Sequence, residues 1–157
     1  MSSLVIYESL FGNTAQVAQR VAESLGVEAT PVADAPTELP EEVSLLVVGA
    51  PTHVLGLSSE NTRKSAAENG APEMHTGVRE WAATVRGRPG VHVVTFDTSS
   101  STFLGTAAKA ASKALKKAGF TDVERGEVFK VLGNAGPLAE GELDRASEWG
   151  RALSVRP

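Results

Sequence analysis

Five short apolar runs, Leu4–Tyr7, Val27–Val32, Val43–Gly49, Val91–Phe96 and Val128–Leu132, alternate along the chain with segments of helical spacing. No other feature restricts the fold as strongly. Runs that are β-branched and apolar at consecutive positions suit strands covered on both faces, as parallel strands are. Between them, Thr14–Leu25, Gly77–Val85, Gly105–Ala118 and Gly141–Leu153 repeat apolar residues at helical intervals, as Val17, Val21 and Leu25 do. Strand and helix in alternation predict an open α/β sheet with right-handed crossovers and helices on both faces.

Helix ends are marked too. Gly26 follows Leu25 and Gly119 follows Ala118, each in the place of a C-terminal cap. Lys113, Lys116 and Lys117 lie toward the end of their helix, where they complement its dipole as a solvated face. The Pro-rich, acidic span Ala33–Glu42 is too short for a long helix, so the second crossover is expected to hold a turn or two. Ser58–Thr76 reads as the longest polar connection, a loop in which Arg63 and Lys64 read as solvated charges or, alternatively, as attracting a negatively charged partner. At 157 residues and 41% hydrophobic content, the chain is expected to form one domain with a core of its own.

Several function classes are disfavoured. The absence of cysteine removes disulfides, thiolate metal sites and cysteine nucleophiles. No stretch reaches the roughly 20 apolar residues of a membrane span, and Met1-Ser2-Ser3 leads into the first apolar run without a basic leader. A cytoplasmic protein without membrane insertion is therefore expected. Nineteen acidic against fifteen basic residues give a net charge of −4, with no nucleic-acid footprint. His53, His75 and His92 do not suggest a metal triad, and no H-E-x-x-H or G-x-S-x-G pattern points to hydrolysis.

Ligands of open parallel sheets bind beyond the carboxyl ends of the strands, which directs attention to residues 8–14, 50–58 and 97–105. In the first, Ser9-Leu10-Phe11-Gly12-Asn13-Thr14 brings hydroxyls, an amide and backbone N–H groups to a helix N-terminus. Two readings stand side by side: Ser9 or Asn13 caps a helix, or the turn holds a phosphate. Lacking both a Walker lysine and G-x-G-x-x-G spacing, the turn suits a monophosphate better than a triphosphate or NAD. The other two connections, "GAPTHVLGLS" and "FDTSSSTFLGTAAKA", are rich in small and hydroxyl residues that expose backbone groups to a flat heterocycle.

These three loops together resemble the flavodoxin family. Ser9, Gly12, Asn13 and Thr14 meet its phosphate-loop pattern, Ser/Thr-x-Ser/Thr-Gly-x-Thr, with Phe11 at the middle hydroxyl position. Gly49-Ala50-Pro51-Thr52 looks like the start of its second flavin loop, and Asp97 and Gly105 like the bounds of its third. The resemblance implies a five-stranded parallel sheet in the order 2-1-3-4-5 and noncovalent FMN. It implies Ser9, Leu10, Phe11, Gly12, Asn13 and Thr14 at the phosphate, with Pro51, Thr52, His53, Val54, Leu55 and Gly56 along one side of the ring. Asp97, Thr98, Ser99 and Ser100 would lie along the other.

Flavodoxins usually cover the ring with aromatic side chains, and here those positions fall at His53 and near Ser100. Trp81 and Trp149 sit at helical spacing, where they are expected to pack in the core, and Phe103 is expected beneath its loop. Phe11 and Leu55 are candidates for apolar cover of the ring, and His53 for a pH-dependent contact with it. Three functions follow: an FMN-binding electron carrier with a redox partner protein, an FMN-dependent reductase of a quinone-like small acceptor, and a flavin-free interaction domain.

Overall fold

The protein, a computed structural model, is described over residues 2–52, 56–100, 106–133 and 135–155. The strands are β1 (Ser2–Tyr7), β2 (Ala29–Pro31), β3 (Val43–Pro51), β4 (His92–Ser99) and β5 (Asp122–Lys130). The helices are α1 (Asn13–Leu25), α2 (Glu60–Glu68), α3 (Val78–Thr84), α4 (Thr106–Lys117) and α5 (Glu142–Ser154). The five strands form one parallel sheet in the order β2-β1-β3-β4-β5, as the resemblance implied.

Central strands are buried on both sides, which is why they read as continuous apolar runs. Val5, Val47, Val94, Phe96 and Phe129 pack under α1 and α5 through Val17, Val21, Ala146 and Leu153. On the opposite face Ile6, Leu46, Val48 and Val93 pack with Val78 and Trp81 of α3 and with Ala107, Ala111 and Leu115 of α4. Helices thus cover both faces. Trp81 and Trp149 pack as expected, Trp81 with its indole N–H donating to Pro36 O at 2.9 Å.

One glycine sets the thickness of the α1/α5 layer. A Cβ on Gly49 would stand 2.0 Å from the Phe96 ring, so only glycine at this point of β3 lets that ring lie across the neighbouring strand. There Phe96 meets Phe129 and Trp149 edge-on, with centroids 5.8 Å away in both cases.

Four details differ from the sequence reading. β5 begins at Asp122 rather than Val128, and its first six residues are all exposed or half-buried, as an edge strand's can be. β2 is only three residues long, on the other edge. Residues 58–76 are not a plain loop, because α2 forms within them. It starts with a capping box in which Thr62 N–H donates to Ser59 Oγ at 3.2 Å and Ser59 N–H to Thr62 Oγ1 at 2.7 Å. Arg63, expected in solvent, is 1% exposed. The second crossover does hold a single 3₁₀ turn, Val32–Asp34, and Gly26 caps α1 in the left-handed conformation.

Candidate functional site

β1 lies between β2 and β3, so the connections leaving β1 and β3 diverge and open a crevice at their carboxyl ends. The first of these is the 8–14 turn. Glu8 N–H donates to Gly49 O at 2.9 Å, after which the chain swings out and returns into α1 through Gly12 at φ 93°. An L side chain there would cost on the order of 1 kcal/mol. Gly12 is itself the N-cap and no side chain caps α1, so the cap reading of Ser9 and Asn13 is corrected. Ser9 Oγ instead accepts from Gly12 N–H at 3.1 Å, tightening the turn.

That leaves donors to spare. The first intrahelical bond of α1 is Gln16 N–H to Gly12 O at 3.1 Å, and the N–H groups of Asn13, Thr14 and Ala15 have no acceptor among the described residues. Thr14 is buried, its hydroxyl 2.8 Å from that of Thr98 at the end of β4. Thr52 N–H carries the ladder one step past β3 by donating to Thr98 O at 3.0 Å. The three connections are therefore tied to one another.

Between them opens a cavity of about 440 Å³. Ser9, Leu10, Phe11, Asn13 and Thr14 line it from the first connection, Pro51 and Thr52 from the second, and Thr98, Ser99 and Ser100 from the third. Ten of the expected site residues thus face one space. Gly12 shapes the turn without lining the cavity, Gly56 is not among its lining residues, and His53, Val54 and Leu55 fall outside the described residues, as do Phe103 and Gly105.

Asp97 does not line the cavity either. It is fully buried on the α4 side of the sheet, where its Oδ2 accepts from Ala108 N–H at 2.9 Å while Thr52 Oγ1 accepts from Ala107 N–H at 3.4 Å. Asp97 and Thr52 thereby take up first-turn amides of α4. Oδ1 of Asp97 has no hydrogen-bond partner among the described residues. Burial pushes its pKa from 3.8 to about 6, against the pull of the Ala108 N–H, the Arg125 charge and the nearby Thr52 hydroxyl.

A further wall was not anticipated. Thr62, Ser65, Ala66 and Asn69 border the cavity from α2 and the residue after it, and Val131 and Gly133 from the chain beyond β5. Phe11 and Leu10 pack with Ala66, Ala71 and Met74, which explains an apolar residue where the family pattern has a hydroxyl: it seats α2. The Ser59-x-x-Thr62 spacing was the available signal for this helix. None of the described lining residues is charged.

Behind this wall lies a buried polar network. Glu8 is fully buried, with Oε1 accepting from Val78 N–H at 2.8 Å and Oε2 from the Ser58 hydroxyl. Arg63 donates to Ser58 Oγ at 2.9 Å and pairs with Glu80 at 3.0 Å. Burial raises the Glu8 pKa, opposed by Ser58, Val78 N–H and Arg63. No group of metal-ligating side chains and no helix long and apolar enough to cross a membrane is found among the described residues.

No curated protein matches the chain in sequence. Among solved structures, flavodoxin 1 from Bacillus cereus is similar over 100% of both chains, at 15% identity and a TM-score of 0.65. A flavodoxin from the domain Archaea covers 98% of this chain and 96% of its own, at 16% identity and a TM-score of 0.62. The rubredoxin oxygen:oxidoreductase of Desulfovibrio gigas matches 98% of this chain with 35% of its own length, at 15% identity and a TM-score of 0.58. At these identities the likeness speaks for the fold. The sequence pattern of the flavodoxin family itself matches residues 5–149, and on that match the chain belongs to the flavodoxin family.

Proposed function

We propose that the chain binds FMN noncovalently and serves as an electron carrier to a redox partner protein. The observation that carries this reading is the set of amides at Asn13, Thr14 and Ala15 that find no acceptor among the described residues, beside a cavity lined by all three sheet-edge connections. With no charged residue among the described lining residues, a phosphate there would be held by main-chain N–H groups, the positive end of α1 and the hydroxyls of Ser9 and Thr14. The groups present thus fit a monophosphate ester. Pro51 and Thr52 on one side and Thr98, Ser99 and Ser100 on the other offer a polar slot of backbone and hydroxyl groups for a planar ring.

When bound, flavin supplies the redox chemistry, and the protein's part is to hold, orient and tune it. Thr14 and Thr98 hold the first and third connections together through their hydroxyls, and Thr52 N–H holds the second to the third.

One feature favours a second reading, an FMN-dependent reductase of a quinone-like small acceptor. Phe11 is the only aromatic residue among the described lining residues, and it is engaged with α2, so a ring in the slot would be open to a small reactant. Steady-state turnover with NAD(P)H and a quinone separates the two, since a carrier should show almost none without a partner reductase.

Titration of purified protein with FMN, followed by flavin fluorescence and absorbance, tests both. Binding at micromolar protein is expected, and its absence would leave only the flavin-free interaction domain. Thr14→Ala is expected to weaken FMN about tenfold or more, the size of a lost hydrogen bond to a charged group, with a much smaller effect on riboflavin. Equal losses for both ligands would remove the phosphate from the α1 turn.

A further inference from the structure

α2 is held to the rest of the protein in an unusual way. Its buried residues are Arg63 and Ala66 alone, and the apolar cluster it shares with Leu10 and Phe11 is small. A charged residue does what a leucine would ordinarily do. From one side of α2, Arg63 reaches Ser58 O at 3.3 Å and Ser58 Oγ at 2.9 Å, and Ser58 donates to Glu8. From the same guanidinium, Nη2 reaches Glu80 on α3, whose other oxygen accepts from Gly77 N–H at 2.9 Å.

The space for this bridge is reserved. A Cβ on Gly77 would stand 2.4 Å from Glu8 Oε1 and 2.5 Å from Arg63 Nη1. Arg79 reinforces the same segment by donating to Leu57 O at 2.8 Å and Ser58 O at 3.1 Å. Arg63 Nε has no hydrogen-bond partner among the described residues, so the bridge costs a buried donor. Meanwhile Thr62, Ser65, Ala66 and Asn69 turn toward the cavity.

We propose that Arg63 is a positioning residue that latches α2 as the outer wall of the cavity, by joining Ser58 and Glu8 at the end of β1 to Glu80 of α3. Latch and ligand then stabilise one another: closing the wall raises affinity, and filling the cavity holds the wall closed. The ligand half rests on the FMN reading above. The latch half does not.

Hydrogen exchange of the α2 amides, in wild type and Arg63→Met, with and without FMN, tests the two halves separately. Without ligand, Arg63→Met is expected to speed exchange over Glu60–Glu68 by roughly tenfold or more while β1, β3 and β4 stay protected. Its FMN affinity is expected to fall by about tenfold, and FMN should slow α2 exchange in the wild type, which a purely structural arginine would not bring about. Arg63→Lys, able to meet one anchor but not bridge two, should fall between.

Unchanged α2 exchange in Arg63→Met, or full recovery with lysine, would overturn the latch. Loosened α2 with unchanged FMN affinity would overturn its role in the cavity. Should wild type bind no FMN, the functional reading fails while ligand-free exchange still decides the latch. If Arg63→Met does not fold, Glu80→Gln, at a half-exposed position, carries the same measurements with smaller changes expected.

Discussion

Phe96→Ala should lower the free energy of unfolding by about 3–5 kcal/mol, the range for removing a fully buried aromatic side chain. Phe96 is 0% exposed, and its ring is the hub of the cluster in which Phe129 and Trp149 both meet it edge-on. Each of those contacts adds about 0.5–1.5 kcal/mol beyond burial. Collapse of the surroundings is the usual relief, but here β3 is already at backbone contact through Gly49 and cannot move closer without breaking the β3–β4 ladder. Urea unfolding should show the loss as a lower midpoint at unchanged slope, and thermal unfolding as a drop on the order of 10 °C for a chain of this size. A loss below about 1 kcal/mol would mean that the layer under α1 and α5 repacks freely.

The second large effect is one of pH. Asp97 titrates near 6 in the folded protein against 3.8 as its ordinary value, a gap of about 2 units or roughly 3 kcal/mol. Because burial is the leading cause, the sign is unfavourable to the folded state at neutral pH. Below pH 3.8 the carboxyl is protonated in both states and imposes nothing. As pH rises from about 4 to 6 the unfolded chain releases the proton first, and stability declines until the folded carboxyl ionises too. Asp97→Asn, unable to ionise, should therefore gain stability relative to wild type by up to about 3 kcal/mol between pH 4 and pH 7. Urea titrations at four pH values would reveal this as a widening gap. Parallel curves would indicate that Asp97 ionises normally. Glu8, also raised by burial, adds a wild-type trend of the same sign that the difference between the two proteins removes.

The sequence was legible where a single residue type reports its own surroundings. Strands β1, β3 and β4 are covered on both faces, so their apolar runs announced them, and their order followed from the resemblance. The edge strands were read less well for the converse reason: Asp122-Val123-Glu124-Arg125-Gly126-Glu127 keeps one side near water and so lacks a continuous run. At the site, the three connections could be found because strand ends are where the fold places ligands. α2 could not be, since Thr62, Ser65 and Asn69 look like any polar surface until Arg63 is seen to be buried. Burial of an arginine depends on Glu8 and Glu80, which are far from it in sequence and signal nothing locally. Phe11 was singled out as a mismatch with the family pattern, and the structure turns that mismatch into a contact with α2.

That no described lining residue of the cavity is charged bears on how such a site persists through divergence. Amides at the start of α1 belong to the backbone, which every residue but proline supplies in the same form. Substitution can scarcely erase them. An anion site built on a lysine would be one codon change from loss, whereas these amides persist as long as the chain can still reverse at Gly12. The side chains around these amides can then vary without removing the donors.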